Sequence, residues 1–159
     1  MDILALDLGG TMIKSGIVHS NGILSDVREQ PSEAHLGGQH LIEKALLTAR
    51  EYKEYDRIGI SSTGQVDIKT GKIIYANENV PNYTGMDLKG CFEEHLGVKT
   101  VVMNDVYAAG LGEAQYGAGR EWQDFLMLTY GTGVGGAIII NRKLYTGGFG
   151  VAGEFGHMV

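Results

Sequence analysis

Cysteine is nearly absent from this chain. Cys91 stands alone, so no internal disulfide can form and no zinc site can be built from thiolates. That scarcity suits a reducing cytoplasm, and Cys91 is expected to be a half-buried, small apolar residue on a helix. Basic clusters are missing as well. With a formal net charge of −6 and no run of Lys or Arg, the chain offers no nucleic-acid surface. Trp122 and the eight tyrosines form no array on which bases could stack. No apolar run approaches the length needed to cross a bilayer. No basic stretch followed by an apolar one opens the chain, as an export signal would. The expected partners are small molecules rather than nucleic acid or membrane, in the cytoplasm.

A hydrophobic share of 43% is enough for a real core, and 159 residues suit one domain, or one lobe and part of another. Glycine is abundant, 25 in all, and it is clustered: Gly9-Gly10, then Gly131, Gly133, Gly135 and Gly136, then Gly147, Gly148, Gly150, Gly153 and Gly156. Clusters between apolar strands signal turns and close backbone approach, not disorder.

The chain is organised around Asp7-Leu8-Gly9-Gly10-Thr11-Met12-Ile13-Lys14. It lies between two apolar runs, Ile3-Leu4-Ala5-Leu6 and Ile17-Val18, which read as short strands, the first apolar on both faces. Gly9-Gly10 can take the positive φ angles of a tight hairpin. A carboxylate at the end of a buried strand is costly unless paired. Beside it, the bare turn lets backbone N–H groups approach a phosphate, and Thr11 adds a donor. Asp7 would repel that phosphate unless Mg²⁺ lay between them, directly or through water. Lys14 could add positive charge, although strand parity could turn it away. The same residues also make an ordinary hairpin with a polar tip.

Taken in order, Ile3 to Leu8, Met12 to Val18 and Ile23 to Glu29 are expected strands, with Asn21-Gly22 at the second turn. A helix is expected from Gln39 to Tyr52, on the period of Leu41, Ile42, Ala45, Leu46 and Ala49. Arg57 to Ser61 and Thr100 to Met103 are further strands, and Lys72 to Tyr75 a short extra one. Asp87 can cap a helix to Leu96. Another helix runs from Val106 to Tyr116. The first three strands pair by hairpins and the later ones by crossover, which gives a mixed sheet with helices on both faces. After Gly117-Ala118-Gly119 the pattern restarts: strand from Phe125, Gly-rich turn, strand to Ile140, then Lys143-Leu144-Tyr145. The expected division is 1–118 for a first lobe and 119–159 for the beginning of a second. Roughly forty residues cannot enclose a second core of normal size.

Asn104-Asp105 follows the strand Val101-Val102-Met103 and starts a helix. Either residue can serve as an N-cap; Asp105 can also be a base at the carboxyl end of a strand, where α/β ligands bind. Gly131-Thr132-Gly133-Val134-Gly135-Gly136 lacks the Gly-Lys-Ser/Thr ending of a Walker loop and opens no helix. It is a glycine-rich hairpin, or a second phosphate turn. Glu154 and His157, three apart among glycines, suit sugar hydroxyls or simply decorate the surface. His19, His35, His40 and His95 are scattered and read as solvated or capping.

In their order and separation, four blocks resemble the N-terminal half of a ROK-family sugar kinase, of the actin-like/ribonuclease H-like (hexokinase) ATPase superfamily. They are Asp7 to Lys14, Asn104-Asp105, Gly131 to Gly136, and Gly147-Gly-Phe-Gly-Val-Ala-Gly-Glu-Phe-Gly-His157. Ser62-Thr63-Gly64-Gln65-Val66-Asp67 and Asn79-Val80-Pro81-Asn82 resemble that family's sugar-side loops. The resemblance implies ATP as phosphoryl donor, with Asp7, Gly9, Gly10, Thr11, Lys14, Gly131, Thr132, Gly133 and Gly135 on the nucleotide side and Mg²⁺ by Asp7. It implies sugar contacts from Gly64, Asn79, Asn104, Asp105, Glu154 and His157, and makes Asp105 the general base. It further implies a Cys-rich zinc loop soon after His157, which would make His157 a zinc ligand. No such loop is present, nor are adenine-side helices, so the chain reads as an N-terminal half. The expected activity is a glucokinase-like kinase of a hexose or hexosamine, with this chain inactive alone and prone to self-association. The alternatives are a sugar-sensing regulator of the same family, for which no DNA-binding segment precedes Met1, and a sugar-binding module without catalysis.

Overall fold

The structure, a computed structural model, describes residues 1–131 and 133–157, the last of these by its backbone alone. Contacts divide the chain after Asn104 into two compact units, Met1–Asn104 and Asp105–Val159. The boundary expected after residue 118 comes earlier because the third helix packs on the second sheet.

In the first unit, β1 (Ile3–Leu8) alternates strictly, with Leu4, Leu6 and Leu8 buried. β2 (Met12–Val18) returns antiparallel to it, and β3 (Leu24–Pro31) antiparallel to β2. Asn21 closes the second turn through its side chain, Oδ1 accepting the Ile23 N–H at 3.0 Å. β4 (Arg57–Ser62) lies parallel to β1. A short hairpin follows, β5 (Gln65–Asp67) and β6 (Lys72–Tyr75). Strand β5 is absent from the sequence reading: three residues before a polar turn are too few to show a period. β7 (Thr100–Asn104) pairs parallel with β4, completing the five-stranded order β3-β2-β1-β4-β7.

Helices α1 (Gly38–Arg50) and α2 (Leu88–Leu96) share one core with that sheet. Asp87 caps α2, its Oδ1 accepting the Gly90 N–H at 2.8 Å. Leu41, Ile42, Ala45 and Leu46 meet Leu4, Leu6, Leu8, Ile58, Ile60 and Val102. Within this unit both helices therefore lie on one face, and the opposite face carries Asp7, Lys14 and Ser61. At the start of β1, His19 joins three strand ends: its ring bonds Asp2 Oδ2 at 2.8 Å and Ser25 Oγ at 2.7 Å. His40 contacts Glu33 at 2.8 Å, and His95 donates to the Cys91 carbonyl at 2.8 Å.

The second unit opens with α3 (Asp105–Tyr116), followed by β8 (Phe125–Tyr130), β9 (Val134–Ile140) and β10 (Lys143–Tyr145) in the order β10-β9-β8. Gly110 lets α3 approach closely; a Cβ there would lie 2.6 Å from Ala137 Cβ. Arg142 locks the far turn, Nη2 donating to the Ala114 carbonyl at 2.9 Å. The face turned away from α3 keeps Leu126 62%, Leu128 44% and Tyr145 49% exposed. Among the described residues no helix is long and apolar enough to cross a membrane.

Two outcomes follow from this packing. Apolar side chains in neighbouring strands of an uncovered face favour association. The 159-residue chain should therefore show concentration-dependent association by sedimentation velocity, and Leu126→Lys with Leu128→Glu should abolish it. The second concerns Tyr83, fully buried, with its hydroxyl 2.8 Å from Ser62 Oγ. Burial pushes its phenol up to about 12 from the ordinary 10.0. The core holds the neutral form, so this contribution is intact below about pH 10 and is lost as pH rises toward about 12. Tyr83→Phe should cost about 1 kcal/mol near neutrality yet show a shallower loss of stability between about pH 9 and 11, read by urea unfolding. Parallel losses in both proteins would mean that the native state tolerates the phenolate.

Candidate functional site

Three parallel strands end side by side. β1, β4 and β7 carry Leu8, Ser62 and Asn104 in one row, so their carboxyl ends open on one edge, the usual ligand side of such a sheet. One row earlier stand Asp7 and Ser61, with Lys14 paired to Asp7 from β2. Directly paired residues share a face. Ser61 Oγ donates to Asp7 Oδ1 at 2.8 Å, which offsets part of the cost of half-burying that carboxylate. Lys14 is exposed on Asp7's side of the sheet, not turned away from it.

The turn after β1 closes with the Gly9 N–H on the Met12 carbonyl at 3.0 Å. Neither Gly9 nor Gly10 has a positive φ, so the hairpin does not use the freedom expected of them. At Gly9 space is tight, since a Cβ would lie 3.1 Å from Met12 O. At Gly10 it is not: nothing stands within 4 Å of its Cβ position. The Thr11 carbonyl accepts the Ser32 N–H at 2.8 Å, which braces the exposed tip from behind.

Gly64 lies just beyond β4 with φ 87°. A Cβ there would stand 2.7 Å from the Tyr75 carbonyl, so only glycine fits. Its carbonyl accepts from Asn104 Nδ2 at 2.9 Å, joining two of the expected sugar-side positions. Asn79 is exposed in the loop between β6 and α2. With Glu78, Pro81, His35, Gly10 and Thr11 it lines one groove. The first turn and the 78–81 loop thus meet in one groove.

In the second unit, Asp105 is exposed at the start of α3, and its Oδ1 accepts the Val106 N–H at 2.8 Å. It satisfies one of the orphan donors of a helix start from the surface. The second Gly-rich turn contains two kinds of glycine. Gly131 and Gly133 close on each other, N–H to carbonyl at 3.0 Å, with nothing within 4 Å of either Cβ position. Thr132 lies outside the described residues. Gly135 belongs to β9 instead, where a Cβ would meet Val106 Cγ2 at 2.6 Å and Thr129 Oγ1 at 2.8 Å. Gly136 is likewise filled from above, by Phe155 and the Gly153 carbonyl.

Glu154 is half-buried on the segment that crosses β9. Tyr107 positions that segment: its hydroxyl donates to the Ala152 carbonyl at 2.6 Å and lies 3.3 Å from that of Gly150. Burial, then the negative charge of Glu154, raise the Tyr107 phenol above its ordinary value. Sequence reasoning missed Tyr107; its one signal was a large aromatic two residues after Asp105 on a helix of small residues. The backbone of His157 forms a 3₁₀ turn with Phe155 and Gly156, and its side chain lies outside the described residues. Among the described residues no group of three or more His, Cys, Asp or Glu is set to hold a metal ion.

A family model described as "ROK family" matches residues 3–159. The chain belongs to the ROK family. The β-glucoside kinase of Listeria innocua is 37% identical over 99% of this chain and 53% of its own length. The glucokinase of Streptomyces coelicolor is 35% identical over 98% of this chain and 49% of its own. Among solved structures, a ROK family glucokinase from Streptomyces griseus in complex with glucose and AMPPNP superposes with a TM-score of 0.87 at 34% identity, over 99% of this chain and 50% of that one. The chain thus spans about half the length of the curated relatives it matches, and its mixed sheet is that of the N-terminal lobe of ROK kinases.

The glycines permit a test that separates fold from ligand. Gly135→Ala should destabilise the second unit by about 1–3 kcal/mol, the usual cost of overpacking. Gly133→Ala should leave the melting temperature within about 1 °C while weakening Mg·ATP binding at least about fivefold, measured by calorimetry on the ROK protein that carries this chain. Equal destabilisation by both would assign all four glycines to packing.

Proposed function

We propose that the ROK protein carrying this chain transfers the γ-phosphoryl group of ATP to a hydroxyl of a hexose or hexosamine. The observation that carries this reading is the pair of glycine-tipped hairpins, at 9–11 and 131–133, whose exposed Gly10, Gly131 and Gly133 no packing contact requires. Bare backbone at an exposed tip suits close approach to phosphate oxygens. The nucleotide side of the site is Asp7, Gly9, Gly10, Thr11, Lys14, Gly131, Thr132 and Gly133. Gly135 supports it indirectly, by seating β9 on α3.

Asp7 suits Mg²⁺, which keeps several waters and uses one or two carboxylates with substrate phosphates. Ser61 occupies one of its oxygens and fixes the other's direction. When bound, the ion would neutralise charge on the transferred phosphoryl group. The described residues do not fit a structural zinc site, and no zinc role is assigned.

The sugar side is Gly64, Asn79, Asn104, Asp105, Glu154 and His157. Asn104 is preorientated by the Gly64 carbonyl. Asp105 takes the proton of the attacking hydroxyl. Its engagement with the Val106 N–H orients the carboxylate.

Asp105→Asn should lower kcat by about 10²–10⁴, the usual worth of general-base catalysis. Sugar affinity should stay within about threefold, because the amide keeps an acceptor oxygen. A coupled ADP-release assay with a sugar panel, alongside direct binding, checks both. Near-normal turnover would reduce Asp105 to a helix cap, and a module that only binds sugar would show no turnover to lose.

A further inference from the structure

Among the described residues, His35 is the histidine for which neither packing nor the proposed reaction supplies a partner. It lies in a short 3₁₀ turn, Ala34–Leu36, between β3 and α1. That turn is part of a strap tied at both ends. At one end the Ser32 N–H donates to the Thr11 carbonyl at 2.8 Å; at the other the Gly38 N–H donates to the Pro81 carbonyl at 2.8 Å. The strap therefore links the first glycine turn to the 78–81 loop. Tyr83 packs beneath it, where a Cβ on Gly38 would come within 2.7 Å of the ring. Glu33, the strap's own acid, is drawn away toward α1, with its carboxylate 2.9 Å from Lys44 Nζ and 2.8 Å from His40 Nε2. Hydrogen bonds from Lys44 first, then from His40, hold it below the usual carboxylate range.

His35 lines the groove together with Gly10, Thr11, Glu78, Asn79 and Pro81. Among the described residues its ring, and the carboxylate of Glu78, have no hydrogen-bond or ion-pair partner. The chemistry of the three polar side chains limits the ligand. Glu78 disfavours an anion at its end of the groove. An acceptor carboxylate, an imidazole that can donate or accept, and a carboxamide that does both form a set suited to neighbouring hydroxyls. A volume of about 460 Å³ is in the range of small-molecule sites.

We propose that His35 and Glu78, with Asn79, form a hydroxyl-reading subsite that selects the acceptor sugar. The inference rests on the kinase reading and adds two residues to it. The strap gives the subsite its precision: it spaces the hydroxyl-reading residues from the turn that holds the phosphate, so a sugar that fits the groove brings its hydroxyl to the phosphoryl group.

The test is NMR titration of the ¹⁵N-labelled ROK protein that carries this chain with glucose, N-acetylglucosamine, N-acetylmannosamine and methyl β-glucoside. At least one sugar should shift the amides of His35, Glu78 and Asn79 together with those of Asn104 and Asp105, along one saturation curve. His35→Ala and Glu78→Gln should each weaken that sugar about fivefold, about the worth of one hydrogen bond. His35→Asn, which keeps a donor and an acceptor, should recover most of the loss. His95→Ala, on the exposed side of α2, should change nothing. Shifts at Asn104 and Asp105 with His35 and Glu78 unmoved, and unaltered affinity in the variants, would overturn the subsite and leave the kinase reading standing. No shift at either set with any sugar would overturn both.

Discussion

The first unit depends on which way β1 faces. Leu4, Leu6 and Leu8 are all at most 2% exposed, and burying three leucines contributes roughly 1.5–3 kcal/mol each. Strand periodicity then leaves Asp7 no choice of face. A slip of one residue would place the carboxylate among α1 and α2 and the leucines in water. The same constraint passes across the sheet through register. Lys14 on β2 and Ser61 on β4 arrive beside Asp7 because each strand must bury its own alternate residues, Ile13 on one side and Ile58 and Ile60 on the other. The polar row is a by-product of the apolar one.

The glycines then divide by what each is for. Gly64 holds a backbone conformation that other residues rarely adopt, and Gly110 and Gly135 let a helix and a sheet touch. Gly10, Gly131 and Gly133 serve none of these purposes. Their bareness is unexplained by the protein's own packing, and the proposed nucleotide site makes use of it. The 32–38 strap extends this logic. It has little regular structure, yet its backbone bonds to Thr11 and Pro81 set how far the first turn stands from the 78–81 loop. Tyr107 plays a similar part in the second unit, holding the Glu154 segment on α3 by the carbonyls of Gly150 and Ala152.

Much of this was legible in the residues. The alternation of β1, the helical period of α1, the Asp87 cap and the ordered Gly-rich blocks are local patterns, and local sterics and burial make them reliable. Strand β5 was not legible, because its partner rather than its composition makes it a strand. Nor was the division after Asn104, since nothing in Asp105 to Tyr116 says which sheet the helix will cover. His35 read as a solvated histidine and is exposed; that it shares a groove with Thr11 and Pro81 was not legible, because those residues are distant in sequence and near in space.

The sequence by itself determined the element order, the mixed pairing of the first three strands with later crossovers, and the family, through Asp7 to Thr11, Asn104-Asp105 and the two later Gly-rich blocks. These rest on short-range periodicity and on chemistry carried within a few consecutive residues. Only the tertiary structure decided that α1 and α2 share one face, that Lys14 stands with Asp7, that Gly135 is a packing residue while Gly133 is not, and that His35 looks into a groove. Each of those depends on contacts between residues far apart in the chain, and the physical reason is the same for all: close packing, not local propensity, decides which side chains meet and where space is left for a ligand.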